Sequence, residues 1–377
     1  MTQSPLRVAI IGAGPAGLTL AIALAKHPHI HVSIFDRADD HSLAPTFNPS
    51  RSYTIDITGH GTKALRYINA TDRFDRELIK FKGIQIKFAP GSPKDEYHGD
   101  AWTGSRGDIC RCLQDEFVAR KSPESTLTFN TAVEVINPEL GEIRLTNPDG
   151  TTSEAQFDLV VASDGAGSAA RRQMQASSSS FTVESMDNGN HSMMLAFDQN
   201  TDGLDPSYLY VFSPPPVMTV AGAINGVSGK STPKWFCQVG FPGAKSFATV
   251  DEAKALLKST LPPFTSFWKY ASDAAIADFA TQVCIATGKA KTCSSFHLGR
   301  TALLGDAGVP FPPIGQGVNA AMEMATVLEQ TLTAHLQSQD WDAAAIPDAL
   351  AAFTIKWKPE ADAIRTISFE GLNLAER

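Results

Sequence analysis

The chain is 377 residues long, 43% hydrophobic and 19% charged, a composition that suits a soluble protein with more than one buried core. Its formal net charge of −8, with no basic tract, argues against a nucleic acid or an anionic membrane surface as partner. The five cysteines, Cys110, Cys112, Cys237, Cys284 and Cys293, show neither CxxC nor Cys/His ligand spacing, so a reduced, cytoplasmic protein without a structural metal is expected.

In chain order, "RVAIIGAG" reads as a buried strand running into a turn, "AGLTLAIALAKH" as a helix and "IHVSIFDR" as a second buried strand. Val8–Ala25 is uncharged and ends in "ALA", as a secretory leader would, but Gly12, Gly14, Pro15 and Gly17 break its apolar run. The same glycines stand in GxGxxG spacing. The first makes the turn, the second lets backbone approach a pyrophosphate, and the third lets helix pack on strand, with the helix N-terminus facing the phosphate charge. Asp36 follows Gly17 by 19 residues at the end of the second strand, where a carboxylate can accept from ribose hydroxyls. Together these predict dinucleotide binding by Gly12, Gly14, Pro15, Ala16, Gly17, Asp36 and Arg37, without choosing between NAD and FAD.

Thr58–Ile68 reads as a helix and "GIQIKFAP" as the start of an alternating strand. Gly104–Lys121 is helical, with Ile109, Leu113 and Phe117 at i, i+4 and i+8 behind a serine cap. "FDLVVASDG" is another buried strand ending in a turn, Gln173–Ser185 a serine-rich surface connection, and Met193–Val250 a block rich in strand formers. In the uncharged stretch Tyr208–Gly229, Pro214-Pro215-Pro216 rule out a membrane-spanning helix. "TALL" (Thr301–Leu304) precedes a glycine- and proline-rich loop and then a helix that places Val318, Ala321, Ala325, Leu328, Leu332 and Leu336 on one face. A polar loop and Pro347 separate that helix from a last helical segment, Ala349–Leu374.

Two of these stretches resemble known motifs. "DLVVASDGAGSAAR" (Asp158–Arg171), with Asp164, Gly165, Ser168 and Arg171 in place, resembles the Asp-Gly motif of FAD-dependent aromatic hydroxylases, and "LLGDAGVPFPPIGQGVN" resembles their second FAD fingerprint. Within that family the chain is most similar to the kynurenine 3-monooxygenase group, through "NPSRSYTIDITGHGTKAL", "ATGKAKTCSSFHLGRTALLGDA" and "LAAFTIKWKPEADAIRTISFEGL". The resemblance implies an α/β fold (α+β overall), with a Rossmann-like FAD domain, an inserted antiparallel substrate sheet and a C-terminal helix. The FAD domain would take residues 1–82, 101–175 and 295–340, the substrate domain 83–100 and 176–294, and the C-terminal helical segment 347–377.

It further implies that Asp306 binds the flavin ribityl chain, and that Asp164, Arg51 and Arg106 lie against FAD. Gly315, Gly317, Val318 and Asn319 would open a helix whose backbone N–H groups face the isoalloxazine edge, while Tyr97 and Pro313 would face the substrate. NADPH or NADH would serve as a transient co-substrate. Reduced flavin and O2 would form a C4a-hydroperoxide that hydroxylates or epoxidises an aromatic ring, in a monomer or homodimer. Such chemistry needs no nucleophilic side chain. No general base stands out beyond the weak candidates Tyr97 and His98.

The departures from the pattern fall at the substrate. Ile84 aligns where an arginine would hold a carboxylate, with Lys82 close by; Gly371 aligns where an asparagine is expected, and Trp357 where arginine is common. Gly308-Val309 replaces an Ala-His pair after "GDA". A buried carboxylate without its cation is costly, so a neutral aromatic or heteroaromatic substrate is expected. Two other readings stay open: a flavoprotein oxidase or reductase on the same fold, and a non-catalytic flavin-binding sensor.

Overall fold

The computed structural model describes residues 4–43, 53–87, 91, 94–224, 233–263 and 265–370. A six-stranded sheet lies at its centre, in the order His297–Leu298, Thr301–Leu303, Leu159–Ala162, Leu6–Ile11, Ile30–Phe35, Thr126–Thr128. All neighbours pair in parallel except the first two. The strands read as unbroken apolar runs because both faces of the sheet are covered. Val8 and Ile10 look towards helices Pro15–Leu24, Arg106–Arg120 and Gly317–Ser338, whereas Ala9 and Ile11 look towards helix Ala169–Ser177 and the small sheet built on Ala132–Asn137.

A second, seven-stranded sheet runs Ile285–Ala286, Asn190–Phe197, Lys234–Pro242, Thr219–Ile224, Tyr208–Ser213, Gly83–Ile86, Lys94–Glu96. It is antiparallel but for the parallel contact of Tyr208–Ser213 with Gly83–Ile86. One face buries Met193, Leu195, Tyr210, Phe212, Cys237 and Val239 beneath helices Val250–Thr260 and Asp273–Thr281. Strand alternation therefore turns Met194, Leu209, Ile84, Gly222, Ile224 and Phe236 to the opposite face. That face meets the first lobe through a three-stranded sheet, Thr54–Ile57, Trp102–Ser105 and Ile79–Lys80: the Thr54 hydroxyl donates to Ala223 O at 3.0 Å, and a Cβ at Gly222 would lie 2.9 Å from Thr54 Cγ2.

Two local expectations are corrected. Gln173–Ser185 is not a plain surface connection: it contains the end of helix Ala169–Ser177 and the start of strand Val183–Asp187. Short polar helices are hard to read from pattern because the Ser168 cap on Arg171 N, not an apolar stripe, starts this one. Pro347 does not separate the last two helices but sits in the first turn of the final one, Ile346–Glu370, where a missing N–H leaves no bond unmade.

Candidate cofactor and substrate site

The glycine-rich turn closes as its spacing predicts. Gly12 has φ +103°, and its Cβ would sit 2.6 Å from Ser163 O; a Cβ at Gly17 would sit 2.2 Å from Gly12 O and 2.5 Å from Ser163 Oγ. Both contacts tie the turn to the strand end that carries the Asp-Gly motif. Gly14 is different: its Cβ would meet only the Arg106 guanidinium, at 3.3 Å. Pro15 and Ala16 are buried in the first turn of the helix, and Arg37 is exposed beyond the second strand. Asp36 accepts from Ala13 N at 2.7 Å and Ala38 N at 2.8 Å, which fixes its carboxylate over the turn with lone pairs to spare for ribose hydroxyls.

Asp306 follows the strand Thr301–Leu303 and is exposed, although its neighbours Gly305 and Ala307 are buried. Burial pushes its carboxyl above the usual range, while the Arg106 and Arg171 guanidiniums pull it back. An accessible carboxylate so deep in the protein marks the floor of a cleft. Arg106 stands within electrostatic reach of Asp36 and of Asp306, and thus between the two motifs. Arg51 lies outside the described residues.

The Asp-Gly motif holds this floor in place. Asp164 Oδ2 caps helix Ala169–Ser177 by accepting from Ala169 N at 2.7 Å, and its Oδ1 is buried with no partner. Arg171, 2% exposed, donates to Asp306 O at 3.2 Å, Ala307 O at 2.5 Å and Ala166 O at 2.5 Å.

At the far side of the cleft, Gly315 has φ +76° and helix Gly317–Ser338 begins without a side-chain cap. The N–H groups of Gly317, Val318 and Asn319 thus precede the first intrahelical acceptor bond, Ala320 N to Gln316 O at 2.9 Å. Helix Pro15–Leu24 also lacks a side-chain cap, in contrast to Ser105, Ser168, Thr249 and Ser272 on other helices. The Asn319 side chain is fully buried and points away from this role: it donates to Asp56 O at 2.9 Å and accepts from Thr58 N at 3.0 Å. Only its backbone is free to serve a ligand. Asp306, Val309, Phe311, Gly317, Trp357 and Ile364 are among the residues that line a narrow crevice against the C-terminal helix.

Of the substrate candidates, Pro313 is exposed on the loop, and the Tyr97 hydroxyl accepts from Gly59 N at 3.0 Å. His98 is exposed. Ile84 lies on the cleft-facing side of the seven-stranded sheet beside Leu209, whereas Lys82 bonds Asp205 at 3.1 Å. Gly371 is outside the described residues. A Cβ at Gly308 would meet Phe296 at 3.1 Å and Leu303 at 3.3 Å, so both neighbours would have to give by a few tenths of an ångström.

Three residues escaped sequence reasoning. His41 Nε2 donates to Ala13 O, 2.7 Å away. Tyr53 stands near enough to Arg106 and Asp306 for both to act on its phenol. Asp56 lies in the strand Thr54–Ile57 that meets the seven-stranded sheet, and burial pushes its carboxyl up to about 6 against the opposing effect of Thr103. None carries a motif. Among the described residues no group of three His, Cys, Asp or Glu is placed to hold a metal ion, and no helix is long and apolar enough to cross a membrane.

The donor set fits FAD: an uncapped helix mouth behind a Cβ-free turn, a cleft-floor carboxylate, and an arginine between the two. Comparison with known proteins agrees. The family model described as FAD binding domain matches residues 5–344. The chain is 27% identical to kynurenine 3-monooxygenase of Christiangramia forsetii over 384 residues, covering 97% of this chain and 80% of that protein. It is 26% identical to the enzyme of the same name from Xanthomonas campestris pv. campestris strain 8004, over 97% of this chain and 78% of the other. Among solved structures, the tetrameric form of 2-methyl-3-hydroxypyridine-5-carboxylic acid oxygenase superposes with a TM-score of 0.69 at 19% identity, covering 98% of this chain and 94% of that one. A tetracycline destructase superposes with a TM-score of 0.67 at 20% identity, over 98% and 89% of the two chains. The chain belongs to the FAD binding domain family and, in keeping with these relatives, is an FAD-dependent monooxygenase of the aromatic-hydroxylase type.

Proposed function

We propose that the protein uses NADPH or NADH and O2 to hydroxylate or epoxidise a small, neutral aromatic or heteroaromatic molecule. The supporting observation is the cleft-facing side of the substrate sheet, whose centre is Ile84, Leu209, Gly222, Ile224, Phe236 and Met194. Among the described residues its basic side chain is Lys234, exposed at the outer end of the strand. An anionic substrate buried against that surface would lack a close counter-charge; a neutral ring would meet matching apolar surface. The kynurenine named for the relatives carries a carboxylate and suits this surface poorly.

In this reading Asp306 accepts from the ribityl hydroxyls, Asp36 from the adenosine ribose, and Arg106 neutralises the pyrophosphate. The N–H groups of Gly317, Val318 and Asn319 stabilise negative charge at the flavin edge. Pro310, Pro312 and Pro313 stiffen the loop beside the ring and reduce the ordering lost on binding. Bound flavin supplies the oxygen-transfer chemistry; the protein holds both partners and excludes water. The 83–100 and 176–294 segments would form the substrate domain, and the molecule would work in the cytoplasm as a monomer or homodimer.

The balanced reaction consumes one NAD(P)H, one proton and one O2 per substrate and yields water and a product one oxygen heavier. Incubation of the FAD-loaded protein with NADPH or NADH, 18O2 and a panel of indoles, phenols and anthranilates tests it. Labelled product from a neutral member is expected; a substrate consumed without label would sink the reading.

A further inference from the structure

The strand Thr54–Ile57 carries a carboxylate, Asp56, on which no charged group among the described residues acts. Ile55 and Ile57 are buried in the first lobe, so alternation turns Thr54 and Asp56 to the substrate sheet. Thr54 touches that sheet directly, through Ala223 O and the Gly222 backbone. The Asp56 main chain is pinned to the mouth of helix Gly317–Ser338 by Asn319. Asp56 therefore stands where the helix mouth, the apolar sheet face and the cleft converge.

Its surroundings do not satisfy it. Oδ1 is closed off from solvent and has no hydrogen-bond partner. The acting neighbour is the neutral Thr103, directly opposite in the strand pair. Thr103 also shares a 2.7 Å contact with the Thr54 hydroxyl, which bonds Ala223 O in turn. Two hydroxyl protons thus serve three contacts, and Asp56 competes for the last of them. Native proteins rarely keep a buried acceptor unpaired unless a ligand or a function completes it.

We infer that Asp56 is the substrate-recognition carboxylate of this site: it accepts a hydrogen bond from a ring hydroxyl or ring N–H, selecting aromatic molecules that carry such a donor and rejecting carboxylates. The inference rests on the monooxygenase reading above and specifies its substrate class. The raised carboxyl of Asp56 suits a group that takes up the donor's proton as the ring reacts: the O–H or N–H bond breaks, its electron pair stays on the ring, and the proton ends on the carboxylate. That electron pair is what an electrophilic oxygen attacks.

The test uses matched probes against the FAD-loaded full chain: phenol with anisole, indole with N-methylindole, and benzoate, titrated by the change in flavin absorbance. The wild type is expected to bind the donor-bearing member of a pair at least about tenfold more tightly than its methylated partner, and benzoate least. In Asp56→Asn, which keeps the shape, the ratio should fall by about tenfold or more while benzoate gains affinity. A ratio that survives in Asp56→Asn is steric and overturns the inference, as does a wild type that binds no donor-bearing probe in preference to its partner. Asp56→Ala, which frees space as well, guards against a misfolded asparagine variant. Failure here leaves the oxygenation assay untouched; failure of 18O incorporation with the preference intact would sink the reaction but not the recognition.

Discussion

Arg171 and Asp306, 135 residues apart, are joined by the Arg171 guanidinium bonding the main-chain oxygens of Asp306 and Ala307. One buried cation thereby holds the Asp-Gly motif against the second FAD fingerprint. Replacing it with methionine would leave three carbonyl oxygens without a donor, each a loss of about 1–3 kcal/mol if no water enters. Arg171→Met is therefore expected to lower stability by roughly 2–4 kcal/mol in denaturant titrations and to weaken FAD retention. An unchanged unfolding midpoint would show that the bridge is dispensable.

Asp306→Ala separates cofactor binding from folding. Its carboxylate is exposed at the cleft floor and among the described residues holds no side-chain hydrogen bond, so the apoprotein should keep its unfolding midpoint. FAD affinity should fall about tenfold to a hundredfold, as expected for losing a charge-assisted acceptor. Flavin fluorescence on dilution measures it.

The glycines divide in the same way. Gly17→Ala forces a Cβ to 2.2 Å from Gly12 O and 2.5 Å from Ser163 Oγ, and since these are backbone and packed neighbours it should cost about 3 kcal/mol or more. Gly14→Ala meets only the end of a flexible arginine; it should fold normally yet lose FAD, because the added methyl stands where backbone must approach phosphate. Thermal melts of the two apoproteins with flavin content beside them distinguish the roles.

Asp56 makes stability depend on pH. Its folded carboxyl is pushed from 3.8 up to about 6, so the penalty is absent below pH 4, grows between pH 4 and 6, and is constant above. Asp56→Asn should match the wild type near pH 4 and exceed it by on the order of 2 kcal/mol at pH 7 and above, with the gap opening in that window. A gap that is flat from pH 4 to 8, or a destabilised variant, would contradict this.

Local pattern made much of this protein legible. The GxGxxG turn, Asp36 at the second strand's end, the serine-led helix at Arg106 and the Asp306 loop are short-range features, because turn sterics and helix starts depend on a few neighbouring residues. Their number and order pointed to FAD before any coordinates. The departure at Ile84 was readable too, though only the sheet showed that it faces the cleft beside Leu209.

Asp56 is the opposite case. In "YTIDIT" it looks like the polar side of an ordinary amphipathic strand, its face turned to water. What turned that face inward is a sheet contributed by residues more than a hundred positions later, whose Ala223 and Gly222 pack on Thr54. The side-chain partners of Asn319, Asp56 and Thr58, were likewise illegible, because they are remote in the chain. Sequence alone determined the cofactor: local backbone geometry marked a dinucleotide site, and the resemblance of two further motifs to a known family made it FAD. Only the tertiary structure decided which polar groups are enclosed by two lobes without a partner, because burial and desolvation depend on what the rest of the chain brings to that face.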